Sequence, residues 1–247
     1  MTFNPFCIDS YLINESERCD FCYDWEGNRF DPKDVREAIV LCNGLTKKLN
    51  EVFAKETRMS LLDVIDKKQT GAFVGSMFIS KFADIAKYLG RNPSPTGHPD
   101  LVPAKYLKTH ENYKWDQFPH GGVEIKTSCG GLPSGKTKDI PVGCPRREFV
   151  TGIVWKGHHT EINNLLGLFW DYYPVPCIFG AFYSNKLEPR DFTNTVPKKG
   201  GGHTTNVCIT KSSATTKMGR NWVVMANEKA YLNLFEKLMD ASVNTLM

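Results

Sequence analysis

Apolar side chains return every three or four positions along residues 31–56: Val35, Ala38, Ile39, Cys42, Leu45, Leu49 and Phe53. That period places them on one stripe of a helix. Asp31 can cap the helix, and Pro32 suits its first turn, where no backbone N–H is needed. "SLLDVIDKK" (60–68) reads as a short helix. "GAFVGSMFISKFADIAKYLG" (71–90) reads as another, stopped by Gly90 and "NPSP". The N-terminal third is therefore expected to be helical.

The pattern changes after residue 90. "HPDLV", "GVEIKTSC" and "FVTGIVWKG" have strand character, as does "TTNVCITKS". "HTEINNLLGLFWDYY" (159–173) reads as an apolar helix ended by Pro174, and "VPCIFGAFYSNKL" (175–187) as a buried strand. A helix between two strands predicts a crossover unit and a mixed sheet. "NEKAYLNLFEKLMDASV" (227–243) predicts a helix capped by Asn227. The expected class is α/β, a central mixed β-sheet flanked by helices, in one domain over 1–247. Residues 1–90 form its mostly helical part and 91–185 its α/β core.

Composition narrows the picture only slightly. Of 247 residues, 41% are hydrophobic and 23% charged, and the net charge is +4. That is an ordinary globular balance, mildly basic, which permits a polyanionic partner without demanding one. No apolar run approaches the roughly 20 residues that span a bilayer. The first twenty residues lack a basic segment followed by an apolar one, so an intracellular location is expected. The eight cysteines are then expected to be thiols. Cys19 and Cys22 form a CxxC, but a zinc site needs a second close pair, and Cys7 and Cys42 stand alone.

The chemistry-bearing residues lie in the middle of the chain. Side chains two apart on a strand share a face, so "GVEIKTS" puts Glu124 and Lys126 together and sends Val123 and Ile125 to the other side. Asp100 follows Pro99 where a short strand begins. Two carboxylates meeting at a sheet end offer hard oxygen ligands for Mg²⁺, and a lysine beside them can hold a water or a phosphate. The alternative is a surface pair, Glu124 with Lys126, and Asp100 as a turn residue. Other acid-x-Lys triplets, "DPK" (31–33) and "DKK" (66–68), sit in helical surroundings.

"HPD…VEIK" resembles the PD-(D/E)XK nuclease superfamily, most closely its type II restriction endonucleases. The resemblance runs from about residue 71 to 185. It covers N-terminal helices, Pro-Asp, a strand with Glu-x-Lys, then a helix and a further strand. It implies a restriction-endonuclease-like core and Mg²⁺-dependent cleavage of double-stranded DNA in the cell interior of a bacterium. Carried over, Asp100 and Glu124 would bind metal and Lys126 would assist the nucleophilic water. Some members add a glutamate from the preceding helix. Here that helix offers only Asp84, with Glu51 and Glu56 further back. A palindromic target would be matched by a two-fold homodimer.

DNA contacts are expected from Lys156, His158 and His159, ahead of a helix N-terminus. In the basic third part, 186–247, they are expected from Lys198, Lys199, Lys211, Lys217 and Arg220, with Asn206 and Asn221 able to read base edges. His159 or Thr160 could equally cap a helix. "GGLPSGKT" (130–137) fits the spacing of a nucleotide-binding P-loop, but Pro141 and Pro145 forbid the long helix such a loop must open. The rival readings are another nuclease of the superfamily, a nucleotide-hydrolysing protein using 130–137, and a DNA-binding protein with no chemistry.

Overall fold

The computed structural model describes residues 3–61, 64–108, 113–141, 143–157, 162–195 and 207–239. Its centre is a five-stranded sheet built from β1 (Tyr11–Ile13), β4 (Glu124–Ser128), β6 (Leu165–Tyr172), β7 (Pro176–Ser184) and β10 (Trp222–Ala226). The strand order is β1-β10-β7-β6-β4. β4 runs parallel to β6, and every other pairing is antiparallel, so the sheet is mixed. A two-stranded ribbon joins β2 (Leu89–Arg91) to β3 (Leu101–Pro103). A small sheet joins β5 (Lys156–Gly157), β9 (Val207–Thr210) and β8 (Phe192–Thr195).

Two long helices cover one face of the sheet: α1 (Pro32–Thr57) and α2 (Lys67–Ile85). Asp31 caps α1 by accepting the Lys33 N–H at 2.8 Å, as its sequence predicts. Asp66 and Gln69 close a reciprocal capping box on α2. The α1 stripe is only half as expected. Val35, Ala38, Ile39 and Cys42 are buried, but Leu45 and Leu49 are 41% and 43% exposed. Asn43 and Thr46 take the core side instead. The Asn43 amide accepts the Ile178 N–H at 2.7 Å and donates to the Ile178 carbonyl at 3.1 Å. A polar side chain thus outranks a leucine because it satisfies backbone groups of β7.

α2 presses on β4 through glycine. A Cβ on Gly71 would stand 3.2 Å from Thr127 Oγ1, and one on Gly75 3.1 Å from Thr127 Cγ2. Thr127 in turn donates to the Gly71 carbonyl at 3.0 Å. Two glycines inside a helix cost roughly 1 kcal/mol each against alanine, and close approach to the sheet is what they permit.

On the opposite face lie α5 (Ser212–Arg220), α6 (Lys229–Met239) and the small sheet; α3 (Ala104–Leu107) and α4 (Lys136–Asp139) are single turns. Phe182 of β7 packs on Phe235 of α6 at 5.1 Å and on Trp155 at 6.0 Å. Glu228 rather than Asn227 caps α6, its carboxylate accepting the Tyr231 N–H at 3.1 Å.

Residues 165–172 form a strand where a helix is expected from sequence, and with β7 they make a hairpin. No helix crosses between them. The reason is that "LLGLFWD" is buried on both faces, so it has no polar side from which a period could be read. "FVTGIVWKG" contributes only the two residues of β5, while β10 and α5 add regular structure that the sequence reading leaves unassigned. The order of elements implied by the resemblance thus breaks after β4. The core sheet also draws on both ends of the described chain rather than on 91–185 alone, since β1 pairs with β10.

Candidate functional site

Glu124 opens β4, and its position is fixed from both sides. Its N–H donates to the Asn164 carbonyl at 2.9 Å. Just before it, Val123 and Leu101 exchange two backbone hydrogen bonds of 2.8 and 3.0 Å. That bridge lays the start of β3 beside the start of β4 and brings Asp100 to the site. Asp100 Oδ2 accepts the Ile125 N–H at 2.8 Å. The His98–Pro99 peptide preceding it is cis.

The strand alternation holds as expected. Val123 and Ile125 are buried on the face toward α2, and Glu124 and Lys126 share the other. The Lys126 ammonium lies 2.6 Å from Glu124 Oε1. Glu124 is only 3% exposed, which removes the reading of a solvated surface pair. Its second oxygen, Oε2, is buried with no hydrogen-bond partner among the described residues. An unsatisfied buried carboxylate oxygen is costly, and such groups mark sites completed by something else.

Lys126 is walled by the small-sheet side. It faces Gly167 across the β4–β6 ladder, and the Trp155 ring stands where a Gly167 Cβ would be, 2.4 Å away. Trp155 Nε1–H donates to the Leu168 carbonyl at 3.1 Å, which holds the ring there.

Electrostatics separates the three groups. Burial, reinforced by the nearby charge of Glu124, pushes the Asp100 carboxyl up to about 6, against the pull of Lys126 and the Ile125 N–H. For Lys126, burial acts to lower the ammonium's pKa. The fields of Glu124 and Asp100 outweigh it and hold the group above its ordinary range, so it is charged at neutral pH.

The donor set suits a hard divalent cation. Mg²⁺ needs one or two carboxylates and takes its remaining ligands from water and substrate phosphate. Glu124 Oε2 and the Asp100 carboxylate supply those two. Among the described residues no group of three or more His, Cys, Asp and Glu side chains converges on one point. Asp84 is engaged with Lys81 at 3.0 Å, and Glu51 and Glu56 are exposed on α1.

The expected DNA contacts divide. Lys156 on β5, Lys211 and Arg220 are exposed. Lys211 Nζ donates to the Arg190 carbonyl at 3.0 Å. Lys217 holds Asp191 at 2.7 Å and the Lys186 carbonyl at 3.0 Å, so it ties α5 to the turn before β8. Asn221 is also committed, donating to the Asp20 and Tyr183 carbonyls at 2.8 and 3.2 Å. His158, His159, Thr160, Lys198, Lys199 and Asn206 lie outside the described residues. The P-loop spacing at 130–137 opens only the single turn of α4, and the Gly131 N–H is spent on the Gly152 carbonyl at 2.7 Å. All eight cysteines are free, and Cys19 Sγ accepts from Asn14 at 2.9 Å.

The residues that sequence reading missed surround a cavity of about 670 Å³ beside Glu124. Aromatic side chains, Trp25, Tyr113 and Phe118 among them, line it. The density of rings in "YKWDQFPHGG" (113–122), just ahead of β4, was the available signal. None of the described helices is long and apolar enough to cross a membrane. Comparison with protein-family models, with curated proteins and with solved structures found no match.

Proposed function

We propose that the chain is a Mg²⁺-dependent endonuclease of double-stranded DNA, of the type II restriction kind, with Asp100, Glu124 and Lys126 as its catalytic residues. One observation carries the reading: among the described residues, a buried carboxylate oxygen of Glu124 is left without a partner beside a second carboxylate and a charged lysine.

Asp100 and Glu124 would hold the cation. When bound, it neutralises charge building up on the phosphate in the transition state. Lys126 remains an ammonium, so it does not take the proton of the attacking water. Its N–H groups orient that water and meet a non-bridging phosphate oxygen. Water attacks phosphorus in line with the departing ester oxygen. One P–O bond forms as the other breaks, and the water's proton reaches the departing oxygen through solvent. Two chains related by a two-fold axis would supply one site per strand. Exposed Lys156, Lys211 and Arg220 would meet backbone phosphates.

Incubation with phage DNA, with Mg²⁺ and with EDTA in parallel and beside Lys126→Ala, tests the reading. Discrete bands that need the metal and vanish in the variant support it. No cleavage with any divalent metal sinks it.

A further inference from the structure

The cavity beside Glu124 does not have the chemistry of a phosphate track. Among the described residues, Lys114 is the only lysine or arginine lining it. One part of its wall is a cluster of rings, backed by Tyr106. Tyr113 and Phe118 meet edge to face at 5.5 Å, Phe118 and His120 at 5.4 Å, and Tyr113 and His120 at 5.4 Å. Tyr106 stacks on His120 at 5.2 Å with 16° between planes. Each ring braces the next, so the wall is rigid before anything enters.

Trp25 stands at the mouth. It is 72% exposed, and no ring lies against it among the described residues. Nor does a loose loop carry it. Asp24 accepts the backbone N–H groups of Glu26 and Asn28 at 3.1 and 2.9 Å and the Asn28 amide at 2.7 Å. Asp24 also bridges to Gly121, directly before β4. A bare indole on an ordered turn does nothing for folding, and it suits the flat face of a ligand.

We propose that this cavity receives a nucleobase turned out of the DNA stack, from the nucleotide adjoining the phosphate held at Asp100 and Glu124. The inference rests on the nuclease reading and names what lies next to the cut. A base offers two π faces to aromatic walls, and its own phosphate would stay outside, near Lys114. Turning out a paired base costs the most and an unpaired one the least. The chain therefore prefers DNA that is unpaired at that nucleotide.

The test uses short DNAs carrying one 2-aminopurine, as a single strand, opposite a mismatch, or paired, titrated with the whole chain in EDTA so that nothing is cut. The expected result is quenching of the 2-aminopurine on binding. Affinity should be about tenfold higher for the unpaired forms, and Trp25→Ala should lose about tenfold and abolish that preference. Trp25 is exposed, so the variant should melt with wild type. Equal affinities for all three DNAs, or unchanged quenching in Trp25→Ala, overturn the proposal. So does binding of a free nucleoside monophosphate as tightly as the single strand, which would make this a small-molecule site. The nuclease reading fails separately. A chain that quenches through Trp25 but never cuts with Mg²⁺ has the base site without the chemistry. One that cuts with no dependence on Trp25 has the chemistry without the base site.

Discussion

Lys126 takes one oxygen of the Glu124 carboxylate, at 2.6 Å, and leaves the other buried and unpartnered among the described residues. Removing the lysine strands the whole carboxylate. Lys126→Ala is expected to destabilise the fold by about 3 kcal/mol and to lower cleavage at least a hundredfold. Lys126→Met with Glu124→Gln should recover most of the stability and none of the activity. Urea unfolding of the two variants beside cleavage assays checks this; equal stabilities would mean the pair carries no buried charge.

Asp100 gives a pH signature. Its folded-state pKa is raised to about 6 from an ordinary 3.8. The folded protein therefore binds this proton more tightly than the unfolded chain does. The associated stability is fully present below about pH 4 and is lost as pH rises through 6, up to about 3 kcal/mol. Asp100→Asn keeps the acceptor for the Ile125 N–H and removes the charge. It should be more stable than wild type at pH 8 without metal, with the gap closing toward pH 4. A gap that does not change with pH counts against a raised Asp100.

The same proton competes with a cation. Stabilisation by Mg²⁺ should be clear at pH 8 and weaken steadily below pH 6. Melting curves with and without Mg²⁺ across that range would show it, and Glu124→Gln should abolish the difference at every pH.

The exposed and the committed cations should behave differently. Lys156→Ala and Arg220→Ala are expected to leave stability unchanged and to reduce the salt slope of DNA binding by about one each. Lys217→Ala strips the ammonium from Asp191, whose side chain is almost wholly buried. It should lower the melting temperature and leave the slope alone. The opposite pattern would place Lys217 on the DNA.

Gly167→Ala tests the wall behind Lys126. The added carbon would stand 2.4 Å from the Trp155 ring. Overpacking of that kind costs about 1–3 kcal/mol. Combining it with Trp155→Leu should return part of the loss; a neutral single substitution would mean the ring moves freely.

β4 was legible because "VEIK" alternates cleanly, with one face apolar and the other charged. Asp100 was legible as a neighbour because Pro-Asp precedes a short strand that can pair with it. β6 was not legible. Its neighbours cover both faces, and a strand without a polar side has no readable period. α5 was hidden for a different reason. "SSATTKMGR" mixes good helix formers with Ser, Thr and Gly, and its buried face of Ala214, Thr215, Met218 and Gly219 holds a single large apolar group. The cavity beside Glu124 depends on the 20s turn meeting the 113–122 segment, a long-range contact that no local pattern encodes.

The pairing of β1 with β10 joins residues 11–13 to residues 224–226. β10 lies between β1 and β7, so the sheet is incomplete until that late segment has been made. Closing a loop of this length is slow, and β7 has an open edge until it happens. A ribosome-bound chain stopped before residue 222 could pair β4, β6 and β7 but would lack the half of the sheet beyond β7. An internal deletion of β10 would then yield an aggregating chain rather than a smaller fold.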